Sequence, residues 1–380
     1  MRTEAVTDLK ALEALEPAWR ELLARSGTDL PFLRWEWTAS WWRHFASRRT
    51  RVADSLFVQA VWEDGALVAV APLIITARPA VGPMRVRTVQ LIGADPAVTE
   101  LRGALCAPGR EKEAHEAILA SLESAGDRWD WLEWAGIRAG SAEEGALVAA
   151  GATFAAETIP DFILPLPATW AELKTGLKRN VKESLRKCYN APARDGLSLR
   201  LSLWRSPAEV AAAMPTFFRL HAARASVTEG VTHRDVFASA PARAFLSELV
   251  GRLAKIDAVR IYQLDVDGAP GAIRIGFVQA RRLYLYYSGY EPALGRYSVM
   301  TTATAEALKS AIEEGLQSAN LSPGEDVSKT RWGPERIDYR TAVVASPSLR
   351  GKLLLKAWQS ARAALLHPRV APLLRSLFGR

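Results

Sequence analysis

A repeated hairpin pattern constrains the fold of this chain more than any other feature of its sequence. The segments "LFVQAVWEDGALVAVAPLIIT" (residues 56–76) and "VRIYQLDVDGAPGAIRIGFVQ" (residues 259–279) each consist of a predicted strand that ends in an acid, an Asp-Gly pair and a second apolar strand. Asp-Gly between two strands is typical of a type I′ hairpin turn. The two pairs lie 203 residues apart in the same frame, at Asp64-Gly65 and Asp267-Gly268. Because helical segments precede both hairpins, the pattern predicts a duplicated domain.

The order of the predicted elements indicates the fold class. Helical segments come before each hairpin, and further strands and a helix follow it. This order predicts an α/β (α+β) protein with two tandem domains, each a mixed, mostly antiparallel sheet flanked by helices. We predict an N-terminal domain over residues 1–165, a C-terminal domain over residues 166–345 and a helical tail over residues 346–380. Within them, "ALVAVAPLIITAR" (residues 66–78) is predicted to be one strand, and residues 171–188 one helix.

The composition excludes several classes of site. The two cysteines, Cys106 and Cys188, are too few for a disulfide framework or a thiolate metal site. The five histidines have no metal-binding spacing, so no metal is expected. The N-terminus lacks an apolar signal-peptide region, and the longest apolar run is far shorter than the ~20 residues of a membrane-spanning helix. We therefore expect a cytoplasmic protein.

The excess positive charge is concentrated at the C-terminus. The chain carries a formal net charge of +8, and its last acidic residue is Asp338. Eight basic residues follow without an acid, so residues 1–338 sum to zero. A neutral body disfavours a broad nucleic-acid surface, and no DNA partner is expected. The leucines and basic residues of the tail, residues 346–380, predict contact with an anionic membrane surface, with packing of the tail on the body as the alternative.

Several sequence blocks resemble the Gcn5-related acetyltransferase-like (GNAT) superfamily. The C-terminal half carries "LKTGLKRNVKESLRKC", "FRLHAARASVTEG", "YYSGYEPALGRYSV" and "SPGEDVSKTRWGPE", and the N-terminal half carries "PFLRWEWTASWWRHF" and "WDWLEWAGI". Within the superfamily the chain is similar to the CelD/BcsL-like branch, which is related to the Fem-type aminoacyltransferases and to bacterial ceramide synthase-like enzymes. The resemblance covers about residues 20–340. It implies two GNAT-like domains that transfer an acyl or aminoacyl group to an amine.

Five of the eight tyrosines lie in residues 282–300, in and just after a predicted strand. The resemblance implies that the site for the acyl donor lies at the end of this strand. In a GNAT-like fold the strand at 282–290 splays from its neighbour, the pantetheine of acyl-CoA lies in the gap, and the pyrophosphate lies at the N-terminus of the next helix. Ser298 is a suitable N-cap for that helix, and its free amides together with Arg296 would form an anion site. Acyl-CoA would be a co-substrate, with no other cofactor. The implied contacts to it are Gly295, Arg296, Tyr297, Ser298 and Val299, although the superfamily's usual glycine-rich Q/R-x-x-G-x-G/A signature is missing.

The candidates for proton transfer follow from the chemistry of amide formation. An amine must be neutral when it attacks, so a general base with a pKa near neutrality assists the reaction. His221 is the first candidate by its pKa, and Glu325 or Asp326 could act if partly buried. Alternatively, His221 is a packed helix residue and the two acids pair with Lys329 and Arg331. Lys329 is also a candidate catalytic residue, because it belongs to the family's glycine-acid-lysine block.

The tyrosines supply a second group of candidates. Tyr284 and Tyr286 would share one face of the strand and Tyr287 the other, where a tyrosine could protonate the departing thiolate. The alternative is that these aromatic residues fill a core. Candidate substrate contacts in the resembling blocks are Trp37, Arg224, Tyr290 and Arg331.

The predicted helix over residues 171–188 carries a basic stripe beside an apolar one. The basic residues are Lys174, Lys178, Lys182 and Arg186. Such a stripe could hold phosphate or lie on an anionic membrane, or it could belong to an ordinary surface helix.

Together these features predict an acyl-CoA-dependent N-acyltransferase that acts at the cytoplasmic side of the inner membrane. The cationic tail favours a lipid-like acceptor such as a long-chain amino base, as in ceramide synthesis. Three alternatives remain: acyl transfer in exopolysaccharide or cell-envelope synthesis, Fem-type transfer from aminoacyl-tRNA, and a non-catalytic factor for envelope assembly.

Overall fold

The computed structural model describes residues 1–47, 51–80, 84–94, 97–227 and 233–366. The elements of the N-terminal half are β1 (Arg2–Val6), α1 (Leu9–Ala14), α2 (Glu16–Ser26), α3 (Trp35–Phe45), β2 (Ala53–Leu56), β3 (Val58–Glu63), β4 (Ala66–Ala71), β5 (Leu73–Pro79), β6 (Arg85–Leu91), β7 (Leu105–Cys106), α4 (Glu111–Ser124), β8 (Trp131–Arg138), α5 (Ala142–Ala149), β9 (Thr153–Phe154) and β10 (Ile159–Pro165). Those of the C-terminal half are α6 (Trp170–Gly176), α7 (Arg179–Arg194), β11 (Leu199–Trp204), α8 (Pro207–Ala225), α9 (Ala240–Ala254), β12 (Val259–Val266), β13 (Ala269–Gln279), β14 (Arg282–Tyr290), α10 (Val299–Glu313), β15 (Ser318–Asn320), α11 (Val327–Thr330), β16 (Glu335–Ala345) and α12 (Leu349–Leu366).

The strands of the described residues form two sheets. A 4-stranded sheet has the order β1-β3-β4-β7, and a 12-stranded sheet has the order β11-β12-β13-β14-β15-β10-β16-β8-β6-β5-β2, with β9 beside β16. Only the β14–β15 and β6–β8 pairs are parallel. The predicted fold class, mixed and mostly antiparallel sheets flanked by helices, is confirmed.

The structure also confirms the two hairpins. β3 pairs with β4, and β12 pairs with β13, both antiparallel. The central residues of the turns have positive φ, as a type I′ turn requires: Asp64 51° and Gly65 80°, Asp267 51° and Gly268 79°. Each hairpin has an antiparallel strand on either side, in the orders β1-β3-β4-β7 and β11-β12-β13-β14, so the two halves repeat one four-strand plan.

The single strand predicted over residues 66–78 is wrong. It is divided at Pro72 into β4 and β5, which belong to different sheets. Proline has no amide hydrogen to donate to a neighbouring strand, so it interrupts a sheet ladder. The chain uses this position to pass from one sheet to the other.

The last strands of the two halves are exchanged across the molecule. β10 is the last strand of the N-terminal half, yet it pairs with β15 and β16 of the C-terminal half. β16 in turn pairs with β8 of the N-terminal half over Tyr339–Ala345. The larger sheet is therefore continuous through both halves.

The single helix predicted over residues 171–188 is also wrong, because it consists of α6 and α7. α6 begins with a capping box formed by Thr169 and Glu172, and its regular geometry ends at Gly176. Leu177 and Lys178 then adopt extended backbone angles before α7 begins. Glycine has a low helix propensity, which favours a break at this position. The basic stripe is therefore distributed over two helices.

α12 packs on the body instead of standing free. Trp358 stacks on Trp131 of β8 at a ring distance of 5.7 Å, and Arg350 forms an ion pair with Asp130 at 3.1 Å. The predicted tail beyond residue 366 lies outside the described residues. Within the described part, no helix is both long and apolar enough to cross a membrane.

Candidate active site

A gap opens in the larger sheet beside β14. β15 pairs with β14 only over Arg282–Tyr284, although β14 continues to Tyr290. After β15 the chain turns towards β10, where the amide of Leu321 donates to the carbonyl of Phe162 at 2.8 Å. The second half of β14 therefore has a strand partner on the β13 side only, which is the splayed arrangement that the resemblance implied.

A cavity of about 260 Å³ lies at this gap, next to the first turn of α10. The Thr301 amide donates to the Ser298 carbonyl at 2.8 Å, whereas within the described residues the amides of Val299 and Met300 have no backbone acceptor and remain potential donors beside the cavity. Its lining residues come from α8, β13, β14, α10 and α11 and the segments next to them: Arg224, His233, Arg274, Ser288, Tyr290, Gly295, Ser298, Val299, Met300, Thr301, Thr304, Leu321, Ser328, Lys329, Arg331 and Trp332.

Three of the five residues predicted to contact acyl-CoA line the cavity: Gly295, Ser298 and Val299. Arg296 and Tyr297 do not. The Tyr297 hydroxyl donates to Asp195 at 2.7 Å, and the Arg296 guanidinium lies 4.7 Å from the centre of the Tyr297 ring. Both side chains are therefore held against the end of α7.

Ser298 occupies the N-cap position of α10, as predicted, but its side chain does not cap the helix. Ser298 has left-handed angles, φ 55° and ψ 40°, and its side chain caps no amide. An N-cap side chain reaches the helix amides from an extended backbone, which this residue does not have. The left-handed turn instead lets the Ser298 amide donate to Gly295 at 2.9 Å, which ends the preceding 3-10 turn.

Four basic side chains converge on the cavity: Arg224, Arg274, Lys329 and Arg331. Arg224 donates to the Ser288 hydroxyl at 2.7 Å, and Arg274 to the Thr304 hydroxyl at 2.8 Å. Lys329 donates to the carbonyls of Pro323 and Gly324. Within the described residues, none of the four forms an ion pair. The lining is therefore strongly electropositive.

Burial affects the ionisation of these cations. Burial and, to a smaller extent, the nearby Arg224 charge lower the pKa of Arg274 to about 10. Burial also lowers the pKa values of Arg224 and Lys329. A low-polarity environment disfavours each isolated positive charge, so an anion would be bound strongly here.

Glu100 is a candidate base that the sequence did not reveal. It lies in the N-terminal half, yet the Tyr284 hydroxyl of β14 donates to its carboxylate at 2.8 Å. Burial raises the pKa of Glu100 to about 7, against the lowering effect of the Tyr284 hydrogen bond and the Lys329 charge. No local motif marks Glu100, because only the packing of the two halves brings it to β14, next to the gap; its side chain does not itself line the cavity.

Asp161 of β10 is a second buried acid near Glu100. It is fully buried and accepts a hydrogen bond from Asn320 at 2.7 Å. Burial raises its pKa to about 6. Two carboxyl groups near neutrality therefore lie on the same side of the gap.

The predicted division of the tyrosines between two faces of β14 is wrong. A β-bulge shifts the register between β13 and β14 at Arg274 and Gly276. A bulge places two consecutive residues opposite one, so their side chains can lie together. Tyr286 and Tyr287 accordingly pack edge to face at 4.5 Å, and both contact Phe237.

The hydroxyls of the three tyrosines all bond to one loop of the N-terminal half. Tyr287 donates to the carbonyl of Ala97 at 2.7 Å, Tyr286 to that of Val98, and Tyr284 to Glu100. Tyr287, predicted to be catalytic, does not line the cavity. Burial raises its pKa well above the usual value, so the phenol stays protonated.

His221, the first candidate base in the sequence, is buried beside β14. Its Nδ1 lies 3.0 Å from the carbonyl oxygen of Ser288, and its Nε2 lies 3.7 Å from Asp235. Phe217 stacks on the imidazole, and burial lowers its pKa. Nε2 is buried without a hydrogen-bond partner, and the side chain does not line the cavity.

The acids of the "GEDVSK" block are placed differently from one another. Glu325 is 64% exposed and forms an ion pair with Arg336 at 2.9 Å, away from the cavity. Asp326 caps α11, and its carboxylate accepts from the Ser328 amide at 2.6 Å. The predicted pairing of these acids with Lys329 and Arg331 is not formed in the described residues.

Of the predicted substrate contacts, Arg224, Tyr290 and Arg331 line the cavity, whereas Trp37 does not. Trp37 is 1% exposed, and its indole donates to the Thr99 hydroxyl at 2.9 Å. Its ring meets four others edge-on at 4.6–5.8 Å: Phe32, Phe245, Phe277 and Tyr286. The structure therefore makes Trp37 a core residue at the junction of the two halves.

In the N-terminal half the chain crosses the corresponding gap. β7 and β8 belong to different sheets, and the segment before β7 crosses β8 at Gly136. A Cβ at Gly136 would lie 1.7 Å from the Arg102 carbonyl oxygen. Only glycine, with φ +85°, permits this approach. A cavity of about 280 Å³ lies at this crossing, with Arg102 and Gly136 in its lining, but the basic lining beside a helix N-terminus described above belongs to the cavity of the C-terminal half.

Comparison with known proteins identifies the chemistry of this half. Residues 178–332 match the family described as "Acetyltransferase (GNAT) domain", and every residue that lines the cavity lies within that range. Residues 178–332 thus form a domain of the GNAT acetyltransferase type. No curated protein sequence matches it.

Solved structures extend the similarity of the fold to both halves. FemX is 11% identical, with a TM-score of 0.58 over 90% of this chain and 97% of that chain. A conserved protein of unknown function from Bacteroides thetaiotaomicron is 12% identical, with a TM-score of 0.53 over 90% and 100%. The C-terminal domain of a putative lysylphosphatidylglycerol synthetase from Agrobacterium fabrum is 13% identical, with a TM-score of 0.51 over 91% and 96%. At these identities the likeness concerns the fold alone.

Proposed function

We propose that the protein transfers an acyl group from an acyl-CoA thioester to an amine and forms an amide. The observation that carries the proposal is the electropositive cavity where the sheet gap meets the first turn of α10. A gap beside a strand can accept an extended donor arm, and a helix N-terminus with basic side chains attracts phosphate. The finer assignment, to the CelD/BcsL-like branch, belongs to the same proposal.

The donor fits the cavity by its charge. Val299 and Met300 supply free helix amides, and Arg331 and Lys329 supply positive charge on the α11 side. These groups would hold the pyrophosphate of acyl-CoA. Gly295 and Ser298 would contact it with their backbone atoms. The missing glycine-rich signature is compatible with this arrangement, because helix amides and basic side chains can bind phosphate without it.

Glu100 would accept the proton of the amine. The neutral amine attacks the thioester carbon, the carbon–sulfur bond breaks, and CoA leaves as the thiolate that takes up a proton. The nitrogen loses one proton to Glu100, and this proton passes through solvent to the thiolate, so the products are an amide and CoA thiol and Glu100 is ionised again. A carboxylate with a pKa near 7 matches this role at neutral pH.

A second cavity supports a lipid-like acceptor. A groove of about 690 Å³ between α6, α7 and α10 has an aromatic floor of Trp170 and Tyr189 and a basic rim of Lys174, Lys182 and Arg186. Trp170 contacts Trp332 of the first cavity at a ring distance of 6.5 Å. An aliphatic chain in this groove would lie next to the reaction site. A long-chain amino base at the cytoplasmic face of the inner membrane is thus the acceptor class that we propose.

α12 is the second proposed membrane contact. Its outer face exposes Leu349 and Leu353, 79% and 67% exposed, beside Lys352 and Lys356. Basic residues near an anionic leaflet contribute about 1 kcal/mol each. The protein would then be peripheral on the membrane.

Thiol release tests the proposed function directly. The purified protein is incubated with acyl-CoAs of increasing chain length and with small and long-chain amines, and free CoA thiol and the amide are measured. We expect amine-dependent release of thiol in equal amount to the amide. If an amide forms from aminoacyl-tRNA but not from any acyl-CoA, the donor is aminoacyl-tRNA. If neither donor is consumed, the result favours a non-catalytic role.

A further inference from the structure

We propose that the acceptor amine carries an anionic group, a carboxylate or a phosphate, that Arg224 and Arg274 bind. This inference rests on the proposed function and narrows the class of its acceptor. It begins from the partners of these two arginines, which are the hydroxyls of Ser288 and Thr304 and the imidazole of His233.

No negative charge in the described structure neutralises the two guanidinium groups. Neither forms an ion pair, and the Nε atom of Arg274 is buried without a hydrogen-bond partner. The charges of Glu100 and Asp326 act on Arg274 and Arg224, respectively, but from beyond ion-pair distance, and the two carboxylates accept hydrogen bonds from Tyr284 and the Ser328 amide. A buried charge without a counterion is costly, so such an arrangement is expected where a ligand supplies the anion.

The position of the two arginines separates them from the proposed phosphate site. Arg274 reaches Thr304, which lies five residues beyond the first residue of α10, Val299. Arg224 comes from α8, on the other side of the sheet from α10, and reaches Ser288 in β14. They therefore surround the inner part of the gap, beside Glu100, whose charge affects the pKa of Arg274. This is where the acceptor amine has to meet the thioester.

Guanidinium groups match this role by geometry. Their planar donors bind a carboxylate or a phosphate through two parallel hydrogen bonds. Such a pair would fix the acceptor with its amine towards Glu100. A site that is built to bind a charged group rejects an analogue that lacks it, because its own donors then stay unpaired.

Matched pairs of amines test the inference. L-serine is compared with serinol, and phosphoethanolamine with ethanolamine, in the thiol-release assay. We expect the anionic member of at least one pair to have a kcat/KM about 10²-fold higher, in line with the loss that follows when buried charged donors are left unpaired. Arg274→Gln and Arg224→Gln should abolish the preference, and Arg274→Lys should restore part of it.

Arg281→Gln is the matched control. Arg281 lies in the turn between β13 and β14, and its guanidinium donates to the Gly315 carbonyl away from the cavity. This variant should keep the preference. Arg274→Gln should also leave the melting temperature of the ligand-free protein unchanged or raise it, because it removes an uncompensated charge. A marked fall would indicate a structural role instead and would overturn the inference.

The remaining outcomes separate the inference from the proposed function. Equal turnover of the charged and neutral amines would overturn the inference and leave the acyl transfer intact. If no amine is acylated, the affinities of the protein for phosphoethanolamine and ethanolamine are compared by calorimetric titration. Equal affinities would overturn the inference. If Arg274→Gln weakens CoA binding as much as it weakens phosphoethanolamine binding, the arginines serve the donor's phosphates and the inference is wrong.

Discussion

At the scale of the residue, Glu100 shows how the fold creates a base from an ordinary carboxylic acid. Burial raises its pKa to about 7, whereas the Tyr284 hydroxyl acts in the opposite direction by donating to the ionised carboxylate. The balance of the two effects places the change of protonation within the physiological range. Below that pKa Glu100 carries a proton and accepts none, so activity should increase as the pH rises through 7.

Glu100→Gln tests this role. We expect kcat to fall by about 10²–10⁴ with little change in the KM for the donor, and the rising limb of the kcat–pH profile near pH 7 to disappear. Tyr284→Phe removes a bond that favours the ionised form, so it should move that limb to higher pH. Glu325→Gln is the control, because Glu325 pairs with Arg336 in solvent. If Glu325→Gln lost the limb and Glu100→Gln kept it, the base would be Glu325.

At the scale of the element, α12 combines a packing role with the proposed membrane role. Its inner face approaches the body so closely that a Cβ at Gly351 would lie 2.5 Å from the Asp130 carbonyl oxygen. Leu355 is buried and Trp358 stacks on Trp131. Its outer face carries the exposed Leu353. The two faces therefore make separable predictions.

Trp358→Ala should lower the free energy of unfolding by about 2–4 kcal/mol, since it removes a large packed ring. Leu353→Ser should leave the melting temperature unchanged but weaken binding to vesicles that contain anionic lipid. Thermal melts and vesicle co-sedimentation of both variants measure the two effects. Wild-type binding to vesicles by Leu353→Ser would remove this face of α12 from the membrane contact.

The elements also show where sequence patterns are sufficient. A type I′ turn requires positive φ at two adjacent positions, which an Asp-Gly pair readily adopts. The pair therefore indicates a hairpin from local sequence alone, and both hairpins were predicted correctly. Pro72 and Gly176 interrupted elements whose apolar periodicity continued across them, because periodicity reports burial and not backbone continuity. The cavity residues Arg224, Tyr290 and Arg331 belong to recognisable blocks. Arg274 lies in the second hairpin segment and Glu100 in no quoted block, but no pattern marked either as a site residue, because their roles arise from contacts between distant segments.

At the scale of the whole molecule, the two halves form one structural unit. β16 of the C-terminal half completes the pairing of β8, and β10 lies between β15 and β16. The three hydroxyls of β14 hold the loop that carries Glu100. The position of the candidate base therefore depends on the junction between the halves.

This interdependence predicts a single cooperative unfolding transition. Trp37 lies at the junction, so Trp37→Ala should cost about 3–5 kcal/mol, the usual loss for a large core side chain. Amide hydrogen exchange in the two hairpins, β3–β4 and β12–β13, should show equal losses of protection, because one global opening exposes both. Trp37→Phe, which keeps an aromatic ring in the core, should leave the KM for the substrates unchanged. Loss of protection in only the β3–β4 hairpin would mean that the two halves unfold independently. The position of Glu100 would then not depend on the packing around Trp37 at the junction of the halves.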